Sequence, residues 1–492
     1  MKEKHNDSYD HVLKYTGLFG GVQGLSIVIG LVRNKIVAQL LGPAGMGLTS
    51  LFNSSVTFIS NATSFGISFS AIRHVSELFE EGNQTKITHF IKVVRGWSLI
   101  TALLGMLVCV LLGPLLSQWT FGWGDHTLHF VLLAPAVGML AITGGETAIL
   151  KGARSLKSLA VIQLLNVLLA LVVSVPVYYF YGQTGIVPVI VVSAFIMMAL
   201  TIRQSYRLYP LRMRGMNGVL GEGMEMIRFG IAFVLASAFG SFAEMFVRSF
   251  LNVSGALDAV GLYNAGFMLT MTYGGMVFSA METDYFPRLS AVNNDRSQFV
   301  LMVNRQIEVA LLIVAPLLVA LIFGVHIIIP VLFTNEFLPI VPMIRFSALA
   351  LYLRAIKLPI CYMCLAKGEA KWFLFQESSY YVIMVIAIIF GYKWWGLDGT
   401  GIALLVAAFF EFVLVTILTH IRYGYWFSSA VIKNSVPQIL FGVIAFFLSI
   451  RTSGVVYWLV GFVLFMMSLS FSIYVLHRKT SLWKKLTARF RK

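Results

Sequence analysis

Six cations stand where cations are costly. Arg33 and Lys35 lie in an apolar run from Tyr15 to Leu41, Arg248 lies in a run over 226–250, and Arg345, Arg354 and Lys357 share a run over 339–365. Each run is long enough to cross a hydrocarbon core of ~30 Å at ~1.5 Å per residue. A charge at the centre of such a helix costs roughly 2.5–3.5 kcal/mol on insertion scales. Residues kept at that cost usually face a bundle interior or a watery cavity, so each is a site candidate by default. The chemistry they offer is capture of an anion. An arginine fork matches two phosphate oxygens at once, and a lysine supplies a point charge.

Spacing sorts the candidates. Arg33 and Lys35 are two apart and point about 200° apart on a helix, so only one faces a cavity squarely. Arg354 and Lys357 are three apart and share a face. Arg345, close to one edge of its run, is expected to snorkel to the interface. The acids in apolar runs are Glu146, Glu244, Glu308, Glu377 and Glu411, with Glu282 and Asp284 near a run's end. Glu244 precedes Arg248 by four, the favourable order for an ion pair on one helix. Glu146 and Glu308 are the candidates for carrying a coupling ion, since a desolvated carboxyl titrates nearer neutral pH. The alternative is that each cation pairs with an acid or snorkels, leaving no basic cavity. Cys361 and Cys364 form a C-x-x-C without a second pair or a histidine cluster. With Cys109 they read as buried small hydrophobes rather than a metal site.

The elements that position these groups are membrane helices. The chain has 492 residues, 58% hydrophobic and 12% charged, against about 25% charged in soluble domains. Fourteen spans are expected, at 15–41, 43–69, 92–117, 127–150, 156–181, 185–207, 226–250, 259–284, 305–330, 339–365, 371–392, 397–420, 432–450 and 455–476. The net charge of +16 would suggest nucleic acid in a soluble protein. Here it reads as topology signal, and no nucleic-acid partner is expected. With the N-terminus inside, 29 of the 37 Lys and Arg fall in cytoplasmic segments, two in outer loops (Lys393, Arg451) and six inside spans. Both termini are therefore expected in the cytoplasm. No cleavable signal peptide is expected, because the first apolar run is too long. The tail from Leu476 to Lys492 mixes Trp483, Leu486 and Phe490 with seven cations and suits an interfacial helix on anionic lipid as well as a plain stop-transfer tail.

An internal repeat organises the spans. Arg33 and Arg248, and Arg73 and Arg288, are 215 residues apart; Lys151 and Lys367, and Gly185 and Gly401, are 216 apart. Six spans per copy keep both copies in one orientation, a parallel repeat about an axis along the membrane normal. The fold class is all-α: two six-helix lobes and two extra C-terminal helices. Expected limits are 1–207 for the first lobe, 208–223 for a cytoplasmic linker, 224–421 for the second lobe, and 422–492 for the last two spans and basic tail. Two such lobes are the usual plan for alternating access, with substrate near the midplane.

The parallel repeat, the Val-Arg in its first helix, the LLGPAGMGL join and the Lys-Gly end of the fourth span together resemble the polysaccharide-transporter branch of the multidrug/oligosaccharidyl-lipid/polysaccharide exporter superfamily. Within it, the Wzx-like flippases are most similar. The resemblance covers nearly the whole chain and is strongest over Tyr15 to Val75. It implies flipping of an undecaprenyl-diphosphate-linked oligosaccharide, such as an O-antigen repeat unit, across the bacterial inner membrane. It implies no bound cofactor, a proton gradient, sodium gradient or membrane potential as driver, and association with polysaccharide polymerase and chain-length machinery. Arg33 and Arg248 match places where related flippases carry cavity arginines. Lys35, Arg354 and Lys357 are added from charge placement.

Other readings follow from the same residues. A cation-coupled multidrug exporter of this fold would want acids in the first spans, which hold none. A lipid II flippase of the same superfamily remains an alternative. A polytopic glycan polymerase or ligase would need a large extracytoplasmic platform. The longest outer loop here is short, Gln118 to Thr127, with only Asp125 and His126 as notable chemistry. The chain is not expected to be an enzyme.

Overall fold

A computed structural model describes residues 2–210, 219–275, 278, 285–286 and 288–479. The central part of the expected linker, the acids Glu282 and Asp284, and the tail residues Trp483, Leu486 and Phe490 lie outside the described residues. The described residues form helices α1 (Lys2–Thr63), α2 (Ile67–Glu81), α3 (Gln84–Phe121), α4 (Thr127–Gly152), α5 (Leu156–Tyr181), α6 (Ile186–Leu208), α7 (Val219–Gly255) and α8 (Leu257–Phe267). A π-helical segment, Met268–Gly274, follows. Then come α9 (Arg296–Leu332), α10 (Val341–Ala366), α11 (Ala370–Tyr423), α12 (Ser429–Arg451) and α13 (Gly454–Lys479). No strand occurs among the described residues.

Among the described residues, ten helical stretches are long and apolar enough to cross a membrane. Three of them, Gly24–Thr63, Lys157–Leu208 and Lys371–Tyr423, each hold two of the fourteen expected spans. The 259–284 span begins as α8 and the π-helical segment, and its remainder falls largely outside the described residues. The helices turn apolar rows outward: Leu103, Leu107, Leu111 and Leu115, each four residues from the last on α3, are 41–67% exposed. A row of that kind is an aggregation hazard in water and an ordinary surface against lipid tails.

The joins show why α1 and α11 bend. Gly42 has φ 63° and ψ −173°, a conformation open essentially to glycine alone. Gly396 at φ 57° does the same inside α11. The repeat is written into these joins. Gly42 and Ala256, Arg154 and Gly368, and Gly182 and Gly396 all have positive φ, and each pair is 214 residues apart. The first two joins also touch. A Cβ on Gly47 would lie 2.1 Å from the Leu257 carbonyl oxygen, and one on Gly261 would lie 1.9 Å from that of Pro43. Only residues without a side chain permit backbones this close.

The chain divides into two compact units. The first comprises Met1–Gly261 with the short segment Leu332–Thr334, so α7 packs with the N-terminal helices. Its core includes Ile67, Ala71, Ile87, Ile91, Val94, Trp97, Ala148 and Ile149, which join α2, α3 and α4. The second comprises Leu262–Val331 and Asn335–Lys492, with α10 as its most buried helix.

Candidate functional site

In the first unit, Arg33 is half-buried, and its Nε donates to the Ser174 hydroxyl on α5 at 3.2 Å. Lys35 donates to the main-chain carbonyl of Phe333. Arg248 is 7% exposed. Its Nε donates to Ser50 Oγ on α1 at 2.8 Å, and one Nη donates to Glu244 Oε2 at 3.1 Å and to the Glu244 carbonyl at 3.0 Å. The ion pair expected from the four-residue spacing is therefore present. It ties Arg248 to its own helix while the Nε bond ties it to α1.

Arg95, on α3, is a further cation with a buried ion pair. Its side chain is 9% exposed and ion-paired to Glu146 at 2.9 Å. It also donates to the Tyr209 carbonyl and to Ser205 Oγ, and it lies over the Tyr206 ring at 4.0 Å. Helix α3 starts at Gln84, well before the apolar stretch begins, so Arg95 sits three turns inside a helix rather than at its mouth. Glu146, one of the two expected ion-coupling acids, is the carboxylate this pair consumes.

In the second unit, Arg354 and Lys357 share a helix face as expected but meet different surroundings. Lys357 is 6% exposed and pairs with two carboxylates, Glu377 at 3.4 Å and Glu411. Arg354 is half-buried and lies against Met271 Sδ at 3.8 Å and over the Phe278 ring at 6.0 Å. Among the described residues it makes no ion pair. Glu308 accepts from the Asn434 side-chain amide on α12. Arg345 does not snorkel: it is 8% exposed, with His326 Nε2 at 3.2 Å and the Tyr457 hydroxyl at 3.3 Å. Both partners come from other helices, α9 and α13, so the run that holds Arg345 gives no hint of them. Cys109, Cys361 and Cys364 are free and buried, as expected. Cys361 and Cys364 both lie against the Gln376 amide.

The turn that closes α10 is pinned from α11. Glu369 accepts from Arg422 and from the Tyr423 hydroxyl. The Arg422 hydrogen bond holds the Glu369 carboxyl below its ordinary range. Beside this turn's helix, the second unit carries a cavity of about 440 Å³ whose wall includes Arg288, Arg305, Gln298 and Tyr285 together with Leu301 and Ile313. Neither arginine stood among the intramembrane candidates, because both lie at span ends. No group of three or more metal-binding side chains occurs among the described residues.

Comparison with known proteins fits this geometry. Residues 36–342 match the model of a family described as polysaccharide biosynthesis protein. The fold resembles those of solved transporters of the multidrug/oligosaccharidyl-lipid/polysaccharide (MOP) superfamily. It resembles an inward-facing multidrug resistance MATE family transporter with TM-score 0.68 at 15% identity, covering 83% of this chain and 96% of that one. It also resembles the lipid II flippase MurJ in an inward closed conformation, with TM-score 0.63 at 17% identity, covering 94% and 99%. The family match spans more than half of the sequence, and the chain belongs to the polysaccharide biosynthesis protein family. Among curated proteins it is similar to the lipid III flippases of Escherichia coli K12 and Shigella flexneri, each 22% identical over 376 residues, covering 74% of this chain and 87% of theirs.

Proposed function

We propose that this protein is a flippase, not an enzyme. It carries an undecaprenyl-diphosphate-linked oligosaccharide, an O-antigen or similar surface repeat unit, from the cytoplasmic to the periplasmic leaflet of the bacterial inner membrane by alternating access. A diphosphate bearing sugars cannot cross hydrocarbon unaided, since each unpaired hydroxyl there costs about 2–7 kcal/mol and each unpaired charge far more. Buried cations lower that barrier while the polyprenyl tail stays in lipid. The observation that carries the reading is Arg354: a half-buried guanidinium inside a span, against a thioether and an aromatic ring, with no ion pair among the described residues. Arg33, held to a neutral hydroxyl, joins it as a phosphate-binding candidate. Lys35, Arg248 and Lys357 complete the proposed substrate set, with Arg248 and Lys357 also orienting their neighbours through Glu244, Glu377 and Glu411. The lipid III flippases of similar sequence support the substrate class.

In this proposal both termini are cytoplasmic, the functional lobes are 1–207 and 224–421, and polymerase and chain-length proteins receive the product. Transport is driven by a proton or sodium gradient or by membrane potential. Glu146 and Glu308 are the proposed carriers of the coupling ion, gated by Arg95 and Asn434. The test is an Arg33→Ala/Arg354→Ala strain. Lipid-linked glycan is expected to accumulate on the cytoplasmic face while the variant stays folded in the membrane. Normal surface polysaccharide from that strain overturns the site assignment.

A further inference from the structure

The first unit holds a second cavity, of about 480 Å³, with a different chemistry. Its polar lining is Thr57, Ser60, Asn61, Ser64, Ser68 and Ser237, and no charged residue lines it. The volume falls in the range of ligand pockets, roughly 300–1,000 Å³. Serine and threonine in membrane helices ordinarily spend their hydroxyls on the carbonyl three or four residues back. The neighbours of this cavity do so: Thr49 on Gly45, Ser55 on Leu51, Thr63 on Ile59 and Ser70 on Gly66, all at 2.8–3.0 Å. Ser64 and Ser237 also bond locally. The side chains of Thr57, Ser60, Asn61 and Ser68 make no such bond among the described residues. Four polar groups thus face one cavity with hydrogen-bonding capacity unspent. Phe69 and Leu140 give the same cavity an apolar wall.

We infer that this cavity is a glycan subsite that takes the uncharged sugars of the lipid-linked substrate. The inference rests on the flippase reading above and narrows it. Sugar hydroxyls both donate and accept, which matches hydroxyl and amide side chains. Sugar C–H faces suit an apolar wall. An ionised sugar, such as a uronic acid, would meet no counter-charge here and would lose solvation without compensation. The cavity lies on the half of α1 that runs toward α2 and Arg73, the side the proposal takes as cytoplasmic, where the substrate is loaded. The cationic residues then hold the diphosphate, and this cavity reads the first sugars.

The test uses the full-length protein in nanodiscs with three probes: bare polyprenyl diphosphate, the same lipid carrying a neutral trisaccharide, and the same lipid carrying a uronic-acid trisaccharide. The native protein is expected to prefer the neutral glycolipid over both others. The Thr57→Val/Ser60→Ala/Asn61→Leu variant is expected to lose about tenfold or more of that preference, the factor implied by losing two ordinary hydrogen bonds. Its affinity for the bare lipid should be unchanged, which also shows that it is folded. Ser68→Phe, which fills the cavity, should act in the same direction. A preference that survives both variants, or equal binding of neutral and acidic glycolipids, overturns the subsite. Failure of the native protein to bind even the bare lipid overturns the flippase reading itself, and the subsite with it.

Discussion

The two copies of the repeat agree in backbone and disagree in buried charge. Their joins reuse left-handed residues at one offset, down to the Gly42 and Ala256 pair. Apart from Arg33 and Arg248, their buried ions do not recur. At the 215-residue offset, Arg95 and Glu146 of the first copy correspond to Ala310 and Cys361 of the second. Lys357, Glu377 and Glu411 of the second correspond to Ile142, Ile162 and Ile196 of the first. At these places the first copy balances one cation against one carboxylate, whereas the second sets one cation between two. A fold that manages without ions at each of these places does not need them for its architecture, and a buried ion pair is weak evidence for stability in general. The helical scaffold is thus repeated, while most of the buried charges are not.

The sharpest way to break this comparison is Lys357→Met. It leaves Glu377 and Glu411 without their shared cation, and removing one partner of a buried pair costs about 3–5 kcal/mol. The expected result is a large loss of thermal stability in detergent together with loss of transport; unchanged melting would mean that solvent already screens the cluster. Arg95→Ala comes next, at about 3 kcal/mol, because one carboxylate is stranded instead of two. The comparison supplies its own rescue. Arg95→Ala/Glu146→Cys installs the second copy's residue types and should recover most of the lost stability, since replacing a whole buried pair by apolar groups is often neutral. If that double variant transports normally, Glu146 carries no coupling ion. Glu377→Gln is smaller, about 1 kcal/mol, because this partner is 26% exposed and partly screened. Melting curves of the three single variants, ranked in this order, and of the double variant check the whole series.

What the sequence made legible was local. The Glu244–Arg248 pair follows from a four-residue spacing on one helix, and the Gly42 join follows from a glycine between two apolar runs. Fourteen spans and their repeat are readable because hydropathy is summed over windows of helix length. Long-range partners were not readable. Lys357 and Glu411 are 54 residues apart in sequence, and His326 and Tyr457 reach Arg345 from helices that share no pattern with it. The partners of Arg95 were equally hidden: Glu146, Ser205 and the Tyr209 carbonyl all reach it from distant stretches of the chain. The hydroxyl-lined cavity was invisible for another reason. Serine and threonine barely move a hydropathy average, and whether a hydroxyl is spent on its own backbone is settled only by packing.

The smallest effect tests the backbone side of the comparison. Ala256 stands at φ 79°, where its counterpart is Gly42. A side chain at positive φ costs roughly 1 kcal/mol or more, and glycine does not carry that cost. Glycine also widens the unfolded ensemble, which offsets part of the gain. Ala256→Gly should therefore raise stability by about 0.5 kcal/mol, a small upward shift in melting temperature with transport unchanged. A downward shift would mean that the alanine methyl packs usefully at this join, and that the second copy has traded backbone ease for a contact the first copy lacks.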